Sequence, residues 1–435
     1  MQPATTPPSA SASSGASYLS SVYNAYVSTL ALSKDDSYVA EAVFCAYLSN
    51  IIHNPPEPVW LQVIGPPSSH KTESLRPYLG YEDTIDVSSL TPNSLISGYR
   101  DPDDNDPSLI LKLDGKVLLI KDLTAIHSMD RISRDKIYGD LRDAFDGLCS
   151  KASGTAGLVR YTARFGVLCA VTEIVDAFAR ESQQLGERFL SFRTFRYMPS
   201  HRQACDYLRH VTAVAPSKHH WRTTLRTVVW DALTALKQQS RNPSFTLPSP
   251  TDTQREVVIA LAHLISQFRT SPINDTPVTG EMASRLVQQL TAITSCRAFA
   301  DGRTEWNDDD LSLARRIALD TLPVQRRRLL MTLYHKDTLP PPPMSATQLA
   351  AMARCTVSEA ASLMRQYTHT NLVSIARPDG PSRERRYTLS PDVRDLIRFC
   401  GLLSIGHHLP GLWSRQAQTV VPDAGTPQHG KPATA

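Results

Sequence analysis

From Tyr18 onward, long stretches of helical period alternate with short unbroken apolar runs. In "YLSSVYNAYVSTLAL" and "YVAEAVFCAYLSNII", within 18–53, apolar residues recur every three to four positions and so fall on one helix face. "NPPEP" breaks the pattern. "VWLQVIG" (59–65) is then a short β-rich run ending at a glycine, and "KTESLRPYL" leaves it as a helix. Two more buried runs follow, "KVLLIKD" (116–122) and "RFGVLCAVT" (164–172), separated by the helical "SRDKIYGDLRDAFDG". Apolar runs alternating with helices predict a parallel sheet covered on both faces, over 55–199.

Beyond Pro199 strand signals nearly vanish. "RTTLRTVVWDALTALKQQ", "REVVIALAHLISQF", "MASRLVQQLTAITSCRAFA" and "DDDLSLARRIALDTL" all carry helical period, and "WNDDDL" supplies an N-cap with an acidic first turn. The spacing predicts an all-helical domain over 200–320. After the proline run "LPPPPM", the order over 321–400 is three helices, a strand, a basic loop and a strand. That is the plan of a winged helix-turn-helix. Residues 1–17 read as a disordered leader, 18–54 as N-terminal helices and 401–435 as a mostly disordered tail.

The composition changes this picture little. Of 435 residues, 41% are apolar and 20% charged, which suits a globular chain of more than one domain. The formal charge of +4 gives no overall field toward nucleic acid, so such binding requires a local patch. Neither a membrane-spanning apolar run nor a secretion signal is recognisable. The seven cysteines form no C-x-x-C pair, which points to reduced thiols and a cytoplasmic location.

The candidate chemistry starts at "GPPSSHKTE". A P-loop reads G-x-x-x-x-G-K-[ST], and Gly65, Lys71 and Thr72 stand at those intervals, with His70 in place of the second glycine. Backbone N–H groups of Gly65, Pro66, Pro67, Ser68, Ser69 and His70 (the prolines lacking theirs) would enclose phosphates at a helix start. Lys71 would reach the β/γ-phosphates of ATP, and the Thr72 hydroxyl would ligate Mg²⁺. Asp122, ending the second run, is the candidate to hold the water shell of that metal, although Leu123 follows it where a water-activating glutamate is usual. Thr172, at the tip of the third run, would lie beside a γ-phosphate. In "LGERFLSFR", Arg188, with Arg193 as alternate, is a candidate arginine finger for a neighbouring subunit's nucleotide.

In this order these residues resemble the AAA+ ATPases. The segment from Val278 to Asp320 is similar to the lid of minichromosome-maintenance helicases and their helix-2-insert relatives. By that resemblance Arg285 is the lid arginine that touches a γ-phosphate, and "LTPNSLISGYRDPDDNDPSLILKLDGKVLLIKDLT" lies where relatives carry an inserted hairpin. The chain also resembles poorly characterised ATP-binding proteins of bacterial phages and mobile elements, sharing T-P-N-x-L-I-S-G, L-R-x-x-x-D-G and L-G-E-R-F. The resemblance implies an ATP- and Mg²⁺-dependent homo-oligomer, a hexameric ring being one form.

In the C-terminal segment, Ser358, Ser362, Arg365, Gln366 and His369 are candidates for the exposed face of the third helix. Arg377, Arg383, Arg385 and Arg386 lie in or beside the basic loop, where they would meet DNA phosphates. The combined expectation is an ATPase that acts on DNA as a helicase, loader or replication initiator. The alternative is a catalytically weak, nucleotide-dependent DNA-binding regulator or scaffold. No histidine cluster with metal-ligand spacing and no G-x-S-x-G elbow compete with these readings, and no small-molecule substrate besides nucleotide is expected.

Overall fold

The structure, a computed structural model, describes residues 17–30, 32–33, 35–97, 99, 103, 105–153, 157–178, 188–195, 201–273, 275–334, 342–376 and 384–403. Nearly all of the expected leader and tail therefore lies outside the described residues. The described residues form one compact unit.

At its centre is the expected parallel sheet. Strands β1 (Trp60–Ile64), β2 (Thr84–Val87), β3 (Val117–Ile120), β6 (Gly166–Val171) and β7 (Phe189–Arg193) pair in the order β2-β3-β6-β1-β7. Side chains alternate across it. Leu61, Val63, Leu119, Leu168 and Phe192 join one apolar core, and Trp60, Ile64, Leu118, Ile120 and Val167 join the other. The first core is built around helix Tyr38–Ile51, which is apolar nearly all round and buried along almost its whole length. Helix Arg131–Phe145 covers the second face, with Ile137, Leu141 and Phe145 inward.

Between β2 and β3, where the resemblance implied an inserted hairpin, the described residues hold a 3₁₀ turn at Leu109–Lys112, while 98, 100–102 and 104 lie outside the described residues. A hairpin occurs further on, where β4 (Leu148–Ser153) pairs antiparallel with β5 (Gly157–Thr162) ahead of β6. The helix leaving the glycine loop is also shorter than its pattern, Lys71–Leu75, and passes into a 3₁₀ turn at Arg76–Tyr78. Pro77 has no N–H to continue the ladder.

Helices Lys218–Ser240, Asp252–Arg269, Ser284–Ala300 and Asp308–Thr321 occupy the segment expected to be helical. Buried ion pairs tie them to the rest. Arg297 donates from Nε to Glu41 at 2.8 Å and from Nη1 to Asp310 at 2.7 Å, joining the N-terminal helices to this bundle. Arg316, fully buried, bonds Asp320 at 2.8 Å and pairs with Asp35. The C-terminal unit holds helices Val324–Tyr334, Ala346–Ala353, Val357–His369 and Pro391–Cys400. Beside them β8 (Met344–Ser345), β9 (Val373–Ala376) and β10 (Arg386–Leu389) form an antiparallel sheet in the order β8-β10-β9. Among the described residues no helix is long and apolar enough to cross a membrane.

Candidate functional site

Because all five central strands run parallel, the loops after β1, β3, β6 and β7 emerge at one edge, the place where open α/β sheets bind ligands. Gly65 leaves β1 there, its N–H donating to the Val171 carbonyl at 3.3 Å. A Cβ at Gly65 would run into Thr194 Oγ1 and stand 2.7 Å from Ser69 Oγ, so this position requires glycine. Ser68 (φ 63°) and His70 (φ 61°) both adopt the left-handed conformation, curling the chain into Lys71 at the start of its helix.

Lys71 is buried, and its ammonium donates to the Pro66 carbonyl at 2.5 Å and to Ser69 Oγ at 3.4 Å. Burial lowers its pKa, opposed by the negative charges of Asp122 and Glu173. Both carboxylates thus act on the same ammonium. Asp122 is exposed and accepts the Thr124 N–H on Oδ1 at 2.8 Å, fixing the turn out of β3. Thr124 Oγ1 accepts the Thr172 N–H at 3.1 Å, with the two hydroxyls 3.4 Å apart, joining the ends of β3 and β6. Thr72 lies exposed beside Lys71. Glu173 is the residue sequence reasoning missed; its signal was its place directly after Thr172.

His70 occupies the second-glycine position with glycine's backbone sign. Its ring meets Tyr207 edge-on, with centroids 5.2 Å apart, and Tyr207 donates its hydroxyl to the Ser68 carbonyl at 2.9 Å. Helix His201–Val214 thereby contacts the loop at two points. Burial lowers the His70 pKa; Glu73 opposes this, while His210 and Lys218 add to it. Nε2 is buried without a hydrogen-bond partner among the described residues.

The arginines lie elsewhere. Arg188 immediately precedes β7, at the amino edge of the sheet, and donates to Asp146 Oδ2 at 2.8 Å. Arg285 donates to the other oxygen of the same carboxylate at 3.2 Å. The five residues of β1 separate this edge from Gly65 by roughly 16 Å. The structure therefore brings Lys71, Thr72, Asp122 and Thr172 to one edge, and Arg188 and Arg285 to the opposite one. Arg193 is a structural residue, buried and clasped by Asp176 through two bonds of 2.8 and 2.7 Å.

On the C-terminal unit the expected exposed helix face is corrected at two positions. Ser362 and Gln366 are buried. Gln366 accepts the Val278 N–H at 2.8 Å and donates to the Val278 carbonyl at 2.7 Å, while Ser362 donates to Asp275 at 2.6 Å. The loop preceding helix Ser284–Ala300 thus covers that part of the helix. Ser358, Arg365, His369, Arg385 and Arg386 are exposed, whereas Arg377 and Arg383 lie outside the described residues. Arg365, Thr368, His369, Ile375, Arg385 and Tyr387, with Pro277, line a cleft of about 310 Å³.

Among the described residues no three His, Cys, Asp or Glu side chains are grouped to hold a metal by themselves. No protein-family model matches the chain, and no curated protein is similar to it in sequence.

Proposed function

We propose that this chain is an AAA+-like P-loop protein that binds ATP and acts on DNA as an oligomer. One observation carries the reading: the buried Lys71 ammonium heads a helix behind a glycine-dependent turn, under the influence of Asp122 and Glu173 from two other strand ends. A buried cation with two acids in range is the electrostatic frame that a polyphosphate and its counter-ion need. The strand order supports the same reading, since β6 lies between the glycine-loop strand and the acid strand and delivers Thr172 between them.

Magnesium fits the donors present. It prefers hard oxygen ligands, keeps several waters and takes few protein groups, and an exposed carboxylate at Asp122 with an exposed hydroxyl at Thr72 meets that demand. When bound with nucleotide, the ion offsets phosphate charge. Lys71 would bind the β/γ-oxygens. Thr172 would orient water, and Glu173 would accept a proton from it in the absence of a glutamate after Asp122.

The second reading, a nucleotide-dependent regulator or scaffold with weak turnover, is favoured by Leu123 following Asp122 and by the imidazole at position 70. DNA contact would fall to Arg365 and Arg385, which line the cleft, and to the exposed Arg386 beside it, on a winged-helix unit. Calorimetry with MgATP and steady-state hydrolysis, on wild type and Lys71→Ala with and without DNA, separate the readings. Turnover lost in Lys71→Ala supports the motor, and binding without turnover supports the scaffold. No heat of association in folded wild type overturns both.

A further inference from the structure

We propose that the segment 275–278 is an internal cover over the DNA-reading face of helix Val357–His369, held there by contacts that imitate those of a duplex. The inference rests on the DNA-binding reading above and concerns the regulation of that surface.

Ser358, Ser362, Arg365, Gln366 and His369 fall on one side of this helix, at spacings of three and four residues. Ser358, Arg365 and His369 are exposed, yet Ser362 and Gln366 between them are only 2% and 0% exposed. Leu363, Met364 and Tyr367 are the residues that enter the apolar core, so core packing does not account for burying a serine and a glutamine. A distant part of the chain does.

The chemistry of that cover resembles the chemistry of DNA. Asp275 Oδ1 accepts from the Ser362 hydroxyl at 2.6 Å and lies 3.8 Å from Arg365 Nη2, a negative oxygen where a phosphate would stand. Gln366 accepts the Val278 N–H on Oε1 at 2.8 Å and donates from Nε2 to the Val278 carbonyl at 2.7 Å. This paired giving and taking is how a glutamine holds the N6–H and N7 groups of adenine in the major groove. While the segment is seated, neither Ser362 nor Gln366 can reach a base edge.

The surroundings hold without these contacts. On one side, Ile273 and Thr276 exchange backbone bonds of 3.0 and 2.8 Å, with Asp275 in the left-handed conformation at φ 61°. On the other, Gly280 lies so close to Gln267 that a Cβ would collide with it, and Glu281 accepts from Arg269 at 2.7 Å. The helix has its own anchor, Tyr367 donating its hydroxyl to the Phe268 carbonyl at 2.8 Å. None of these bonds joins the segment to the helix, so they survive when 275–278 lifts away.

The neighbouring cleft gives a duplex its point of entry. Pro277 of the cover lines it together with Arg365, His369 and Arg385. A phosphate entering there competes with the Asp275 carboxylate for Arg365 and repels that carboxylate as a like charge. Phosphate binding therefore comes first, and base reading follows once the segment has left.

The experiment is fluorescence anisotropy of the full chain with a labelled duplex of random sequence, beside amide hydrogen exchange of the same complex. Val278→Pro removes the N–H that Gln366 holds and alters no charge. It is expected to bind the duplex about tenfold tighter than wild type, because a surface that is covered most of the time binds in proportion to its uncovered fraction. In wild type, exchange at the Val278 N–H is expected to quicken on saturation with duplex, the opposite of the protection that binding gives to a segment left in place. Should Val278→Pro lose its cooperative melt, Asp275→Asn carries the same expectation, judged against Asp395→Asn, which removes one exposed acid from the same unit. A wild type that binds duplex with Val278 exchange unchanged or slowed overturns this proposal alone, and so does a variant that binds no tighter than its reference. No duplex binding by wild type or by any variant overturns the DNA reading, and this proposal with it.

Discussion

Thr194, the first residue after β7, stands against the Cα of Gly65, the first residue after β1. Its N–H donates to the Ile64 carbonyl at 2.9 Å, and its hydroxyl lies 3.2 Å from Ser69 Oγ. The turn out of β1 is thus shaped by its neighbouring strand as well as by its own sequence. Gly65→Ala drives a methyl into that hydroxyl and is expected to cost about 1–3 kcal/mol, as overpacking does. Because the nearer of the two obstacles is the Thr194 hydroxyl, with Ser69 Oγ the second, the Gly65→Ala/Thr194→Ala pair should regain part of the loss in urea denaturation. Simple additivity of the two changes would refute the contact.

His70 carries a left-handed backbone that costs an ordinary residue about 1–2 kcal/mol relative to glycine. Its ring contact with Tyr207 returns about 0.5–1.5 kcal/mol. His70→Gly should therefore unfold within about 1 kcal/mol of wild type. A larger loss would mean that the ring contributes more than this contact.

The same ring sets a pH dependence. Burial places the folded pKa of His70 below the ordinary value of 6.5, so the unfolded chain binds the proton more tightly. Its contribution is intact above about pH 6.5 and is lost as pH falls below that value, until the ring is protonated in both states. Thermal melts of wild type and His70→Asn between pH 5 and about pH 8 should diverge only on the acid side. Parallel curves would remove His70 from the account.

Asp320 is fully buried and accepts from Arg316 Nε at 2.8 Å, Arg327 Nη1 at 3.0 Å and the Arg193 N–H at 2.9 Å. Asp320→Ala leaves buried guanidiniums without this partner. A loss of about 3–5 kcal/mol is expected, read from the denaturation midpoint. A change below about 1 kcal/mol would show that the arginines find other partners.

For the C-terminal unit, Arg385→Ala/Arg386→Ala should weaken DNA binding and lower the slope of log K against log salt by up to about 0.9 for each phosphate no longer neutralised. Identical slopes would separate these residues from phosphate binding. Gln366→Ala should instead leave that slope unchanged and speed amide exchange at Val278, whose N–H it holds.

The strands that carry the loop, Asp122 and Thr172 were legible because each is a short, mostly apolar run, ending in Gly65, Asp122 and Thr172 respectively. Strands β2 and β7 were not. "TIDV" is four residues long and includes a charge, and "FLSFR" reads equally as the approach to an arginine. The hairpin had a usable signal in sequence, Val159 and Tyr161 alternating with Arg160 and Thr162 after the glycine-containing "SGTAG". The burial of Gln366 and the meeting of Arg188 with Arg285 were hidden for another reason. Each depends on partners 42 to 139 residues away, and periodicity reports only a residue's own element.

The ionic seams between segments also bear on how this chain can be dissected. A fragment ending just after Thr194 would keep Arg193 but lack Asp320, and one starting near residue 200 would keep Arg316 while missing Asp35. Either cut removes one acid from a buried ionic network, although Arg193 keeps Asp176 and Arg316 keeps Asp320. Limited proteolysis should therefore spare this body as one piece, and recombinant truncations between the sheet and the helical bundle should come out insoluble rather than as separate working parts.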